Sequence, residues 1–143
     1  MIQYIEDGQT SIRIYLQMEG MISLNRRCLD YLEDLCLRNG STYEGRRQAA
    51  CSYLHIRQKA PIYIREGLLL FPSRSAQAEG CVWLNYCAIQ RAEAQDHMTR
   101  FIFHDGQEII VDMQIRSALL QMRRCLCYLY ALEFHAKEDT IIV

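Results

Sequence analysis

The segment Gly40-Ser41-Thr42-Tyr43-Glu44-Gly45-Arg46-Arg47 concentrates the residue types that hold an anion. Small residues open a helix there, hydroxyls lie beside its first amides, and two arginines occupy its first turns. A helix start already carries about half a positive charge from unpaired amides, so adjacent cations are disfavoured unless an anion lies nearby. Two arrangements satisfy that constraint. In one, a phosphate is held by the amides, by the Ser41 or Thr42 hydroxyl and by the guanidinium groups. In the other, the arginines pair with Glu44 or with acids elsewhere in the chain. Arg46 falls at the edge of the helix's apolar face and Arg47 close to its middle, so Arg47 is the one whose loss is expected to disturb packing.

A second candidate anion site follows Phe71-Pro72, where Arg74 stands between Ser73 and Ser75, a composition suited to phosphate or minor-groove contact. A plain solvated loop is the competing reading. For catalysis, Cys51 and His55 are four residues apart and share one helix face, yet no third orienting group stands at a recognisable spacing. No glycine-rich nucleotide loop and no His-Glu-x-x-His helix occurs, so neither an enzyme nor a catalytic residue is expected. The 7 cysteines are odd in number and irregularly spaced, with no Cys-x-x-Cys pair. They are expected to be free, buried thiols, and neither a metal nor any other cofactor is expected.

The charge distribution supports the anion-binding reading better than the total does. Net charge is only -1, but from Arg38 to Arg74 seven basic residues face two acidic ones, leaving the rest of the chain at -6. All the basic residues except Lys59 and Lys137 are arginine, the side chain that binds phosphate through two parallel bonds. With 143 residues, 50% apolar and 23% charged, the chain is expected to form one domain over residues 1–143. No apolar run is long enough to span a membrane and the first residues do not have the order of an export signal, so a cytoplasmic protein without a membrane partner is expected.

These residues must be positioned by a small α+β fold. Alternation at Ile2, Tyr4 and at Ile12, Ile14, Leu16 predicts an opening hairpin around Asp7-Gly8-Gln9-Thr10. Leu24, Cys28, Tyr31, Leu32 and Leu35 predict a first helix with Ser23 as a candidate cap and Asn39-Gly40 as its stop. Ser41-Thr42-Tyr43-Glu44 fits a capping box, with Ser41 as cap and Glu44 reaching back, and opens a second helix to about Leu54. Two short runs, Ile62 to Ile64 and Leu68 to Phe71, form a hairpin. A loop follows from Pro72 to Gly80, then a strand from Cys81 to Ile89. Phe101 to Phe103 and Glu108 to Val111 pair through Asp105-Gly106. A final helix runs from about Arg116 to His135. Its Leu119, Met122, Leu126 and Leu129 form one apolar stripe that Cys125, Tyr128 and Leu132 widen, which predicts burial in this domain or against a second copy. The expected fold is thus a small antiparallel sheet built from hairpins, two central helices and a long C-terminal helix.

The run Cys36-Leu-Arg-Asn-Gly-Ser-Thr-Tyr-Glu-Gly-Arg-Arg47, continuing through Lys59-Ala60-Pro61, resembles the competence transcription factor family, ComK, whose members carry Gly-Ser-Ser-Tyr-x-Gly-Arg-Lys and then Lys-Pro-Pro. Leu70-Phe71-Pro72-Ser73, Cys81-Val82-Trp83 and Asp105-Gly106 match later family features in the same order. The resemblance implies a transcriptional activator that binds paired AT-rich boxes of double-stranded DNA, largely in the minor groove, as a homo-oligomer. It also implies degradation by a Clp-type protease through an adaptor. The DNA-binding positions it singles out, together with the loop candidates, are Ser41, Thr42, Tyr43, Gly45, Arg46, Arg47, Lys59, Ser73 and Arg74. Thr42 replaces a serine, Asn39 an aromatic residue and Ala60 a proline, and the long basic tail of larger members is missing after Val143. Loss of those cations weakens counterion release, so a non-catalytic interaction module on the same fold is the alternative.

Overall fold

The computed structural model describes residues 1–142, with side chains throughout except at His135 and 138–142. The opening hairpin is present as β1 (Ile2–Asp7) and β2 (Ile12–Leu16), and β3 (Gly20–Leu24) adds a further strand that alternation did not reveal. Most of β3 is exposed, so it lacks the apolar side that makes a strand legible. Leu24 therefore ends a strand, opposite Ile12, and does not begin a helix. The first helix, α1 (Cys28–Arg38), starts four residues later; its cap is Arg27, without a side-chain bond, and not Ser23. Its buried face is Cys28, Leu32, Leu35 and Cys36, a helical spacing that points one stripe at the core.

Helix α2 (Tyr43–Leu54) precedes the hairpin of β4 (Ile62–Arg65) and β5 (Leu68–Pro72). The strand expected from Cys81 to Ile89 is broken: β6 (Val82–Asn85) ends in a single 3-10 turn, Tyr86–Ala88. Asn85 causes the break. Its fully buried side chain accepts from the Leu69 and Cys87 amides, each at 3.2 Å, and donates to the carbonyls of Ile2 and Gly67 at 2.8 and 3.0 Å. A buried amide satisfied on all sides fixes its backbone, and the chain leaves the sheet there. A second sheet follows, of β7 (Ile89–Gln95), β8 (Met98–Phe103) and β9 (Glu108–Val111). Helix α3 (Ile115–Ile142) closes the fold and extends beyond the expected end at His135.

The six-stranded sheet has the order β3-β2-β1-β6-β5-β4, antiparallel at every step, and the three-stranded one the order β7-β8-β9. Both faces of the larger sheet are covered. Along β5, Leu68 and Leu70 join Ile5, Ile62 and Trp83 against α1, while Leu69 and Phe71 join Phe101 and Phe103 of the smaller sheet and Ala118, Cys125 and Tyr128 of α3. A strand buried on both sides reads as a continuous apolar run, and Leu-Leu-Leu-Phe is one. The apolar stripe of α3 is rotated from the expected one. Ala118, Gln121, Cys125 and Tyr128 face the core, with Met122 and Leu129 partly packed, whereas Leu119 and Leu126 face outward.

Candidate nucleic-acid interface

Helix α1 ends in a turn at Gly40, whose φ of +101° is open to glycine and strained for other residues. The Gly40 amide donates to the Leu37 carbonyl and the Ser41 amide to that of Cys36, which aims the chain directly into α2. The cap of α2 is Thr42 and not Ser41: its hydroxyl accepts from the Gly45 amide at 2.9 Å. A Cβ on Gly45 would come within 3.0 Å of that hydroxyl and 3.3 Å of the Ser41 hydroxyl, so the bare α-carbon lets both oxygens close over the helix start.

The electrostatic conflict at this helix start is resolved inside the protein. The Glu33 carboxylate of α1 accepts from the Tyr43 amide at 2.9 Å. Glu44 does not reach back to close a capping box; it takes the Arg47 guanidinium on both oxygens, at 2.8 and 2.5 Å. The Arg47 bonds hold the Glu44 carboxyl below its ordinary range, and the same bonds push the arginine further up. Tyr43 packs its ring edge-on against buried Trp83, and burial pushes its phenol up to about 12.

The two arginines divide their roles in the reverse of the expected way. Arg46 turns inward and donates to the carbonyls of Tyr63, Asn39 and Cys36, at 2.6, 2.7 and 3.3 Å. One guanidinium thus ties the end of α1, the start of α2 and strand β4 into a corner, with a rigid planar fork matched to fixed acceptors. Arg47 lies on the outer side of that corner. With Tyr43, Glu44, Arg57, Lys59 and Ser75 it lines an open groove of about 520 Å³.

Lys59 stands in the left-handed region at φ +57°, a strained setting for a side chain with a Cβ. Its carbonyl is held at 3.0 Å by the buried Gln121 of α3, which also donates to the Pro72 carbonyl at 3.1 Å. Ser73 is buried and its hydroxyl accepts from the Val82 amide at 2.9 Å, so it splices β5 to β6. Arg74 donates to the Glu79 carbonyl at 3.2 Å and pairs with Asp112 at 3.1 Å. The structure therefore brings Arg47 and Lys59 together in one groove, and gives Thr42, Tyr43, Gly45, Arg46 and Ser73 internal tasks. Arg57 joins that groove without having been singled out from sequence, although it counted toward the basic centre.

All 7 cysteines are free. Burial pushes the Cys28 thiol up to about 12 and raises those of Cys36, Cys81 and Cys125, the opposite of what a nucleophile needs. His55, the partner considered for Cys51, is the left-handed residue that caps the C-terminus of α2, just beyond Leu54. Among the described residues no cluster of three or more His, Cys, Asp or Glu side chains is placed to hold a metal ion, and no helix is long and apolar enough to cross a membrane.

Two antiparallel sheets, a long terminal helix and a groove lined by Arg47, Arg57 and Lys59 make a small α+β fold with cations gathered on one groove. The chain belongs to the ComK family, whose family model, described as ComK protein, matches residues 1–137, nearly the whole length. That is a family of competence-type transcription factors and not of enzymes, and membership assigns this chain to transcription regulation. No curated protein and no solved structure matches the chain.

Proposed function

We propose that the protein is a competence-type activator that binds AT-rich double-stranded DNA, with the groove between α2 and the Arg57–Lys59 turn against the sugar-phosphate backbone and minor-groove edge. The observation that carries this reading is the concentration of cations on one groove of a protein whose net charge is -1. Arg57 and Lys59 hold no carboxylate among the described residues, and Arg47 can exchange Glu44 for phosphate. Each phosphate contact made this way releases a condensed counterion, which drives association. Ser41 is exposed beside the groove and adds a hydroxyl. Thr42, Tyr43, Gly45, Arg46 and Ser73 hold the contacting residues in place, and Arg74 joins when a phosphate displaces Asp112. Arginine side chains entering a narrow, negative minor groove would supply the AT preference. Exposed Leu126 and Tyr130, further along α3, support a homo-oligomer as the binding unit. Such a protein acts in the cytoplasm, and family likeness adds a Clp-type protease adaptor as a further partner.

Fluorescence anisotropy with AT-rich and GC-rich duplexes, each at two salt concentrations, tests the reading. Tighter binding to the AT-rich duplex, falling steeply with salt, is expected. No binding to either duplex by a folded, oligomeric protein would instead favour an interaction module that has left DNA behind.

A further inference from the structure

From Ile115 to Leu132, helix α3 contains Arg116, Arg123 and Arg124 and no acidic residue. Arg116 and Arg123 are both exposed, and two turns of helix place them on one face, about 10 Å apart along the axis. Ion pairs among the described residues engage Arg13, Arg26, Arg47, Arg74, Arg91, Arg100 and Lys137, and none of the three α3 arginines. Arg124 instead donates to the side-chain oxygen of Gln121 at 3.2 Å.

Gln121 is only 3% exposed. A buried amide is costly unless every polar atom is satisfied, and here the satisfaction is informative. Its nitrogen holds the Lys59 carbonyl at 3.0 Å while its oxygen holds Arg124, so one side chain sets the spacing between the α2 groove and α3. The surface is continuous as well. A hollow formed by Gln58, Lys59, Ser73, Ser117 and Arg124 shares Gln58 and Lys59 with the α2 groove. It shares Ser117 and Leu120 with the concave patch that carries Arg116 and Arg123.

We infer that the Arg116–Arg124 face of α3 is a second phosphate-binding stretch of the duplex interface, held in register with Lys59 by Gln121. The inference rests on the DNA-binding reading above. A second copy of the chain is the poorer occupant of this stretch. A two-fold contact sets a patch against itself, so these arginines would meet one another with no acid between Ile115 and Leu132 to offset them.

The test compares wild type with an Arg116→Ala/Arg123→Ala variant in salt-dependent anisotropy on AT-rich duplex, alongside thermal melts and mass in solution. Both side chains are exposed, so melt and mass stay unchanged. The slope of log affinity against log salt becomes shallower by about two units, and affinity at about 0.15 M salt falls roughly 30-fold, as two lost phosphate contacts imply. An Arg116→Lys/Arg123→Lys variant recovers most of that loss, because a phosphate contact needs the charge more than the guanidinium shape. Wild-type affinity and slope in the alanine variant, while Arg57→Ala/Lys59→Ala weakens binding, would overturn the inference and leave the DNA-binding reading standing. A fall in mass would also overturn it, by assigning the patch to contact between copies. Wild type that binds no duplex at either salt concentration removes both.

Discussion

On the outer face of the smaller sheet, Arg91 and Arg100 close on the two oxygens of Glu93 at 2.8 and 2.5 Å, and Arg100 reaches Glu108 at 3.6 Å. In the groove beside α2, Arg57 and Lys59 meet no carboxylate among the described residues, and Arg47 meets only Glu44. The two surfaces are built from the same side chains in the same small protein. The sheet cancels its own field within a few ångströms, whereas the groove leaves its field to act on whatever approaches. A net charge near zero therefore hides a cationic surface, because what an anion meets is local pairing and not the sum. The corner behind the groove offers a third use of arginine, in which Arg46 spends its two terminal nitrogens on backbone carbonyls.

The largest effect expected from testing this contrast is on the corner. Arg46→Ala strands three acceptor carbonyls that now share one charged donor and should destabilise the fold by about 2–4 kcal/mol. Urea denaturation checks it; a loss no larger than that of Arg47→Ala would mean that the corner does not depend on the guanidinium. Next in size, Arg57→Ala/Lys59→Ala should leave the melt almost unchanged. It should lower affinity for AT-rich duplex roughly 30-fold, with a salt slope shallower by about two units. Unchanged affinity would erase the distinction between groove and sheet.

A smaller effect of opposite sign is expected at Glu44. Glu44→Gln removes the carboxylate that competes with phosphate for Arg47 and should tighten duplex binding about fivefold, the scale of one extra counterion released. Weaker binding, measured by anisotropy, would mean that Glu44 serves to orient Arg47. The smallest effect belongs to the sheet: Glu93→Gln should leave duplex binding as it is. Arg91 and Arg100 hold the Glu93 carboxyl below its ordinary range. The stability that pairing contributes is then complete above the ordinary carboxyl range and disappears as pH falls through the depressed value. Melts of wild type and variant should differ by a constant small amount near neutral pH and converge in acid. A changed DNA affinity would show that the sheet face also meets the duplex.

Elements with local signals were legible before any contact was known. The opening hairpin, α2, the Gly40 stop between α1 and α2, the Leu-Leu-Leu-Phe strand and the Asp105-Gly106 turn stand where their turn residues and periodicity indicate, whereas α1 begins four residues later than its apolar spacing does. The cap of α2 shifted by one, from Ser41 to Thr42, because both hydroxyls lie within reach and only the path of the chain after Gly40 chooses between them. Strands β3 and β7 escaped notice for a common reason. Each places mostly exposed side chains on a partner strand, so its pairing is made by backbone bonds that leave little trace in side-chain type.

What the sequence determined alone is what neighbouring residues decide among themselves: helix starts and stops, turns, alternation, the basic centre from Arg38 to Arg74 and the signature run that marks the family. Only the tertiary structure decided which of two adjacent arginines lines the groove. Arg46 is turned inward by carbonyls at residues 36, 39 and 63, and Arg47 outward by the same rotation of α2. It likewise brought Gln121 to the carbonyl of Lys59, across 62 positions of chain. Such pairings depend on distances set once the sheet has closed and α3 has packed on it, and side-chain identity carries no information about a partner that folding has yet to bring near.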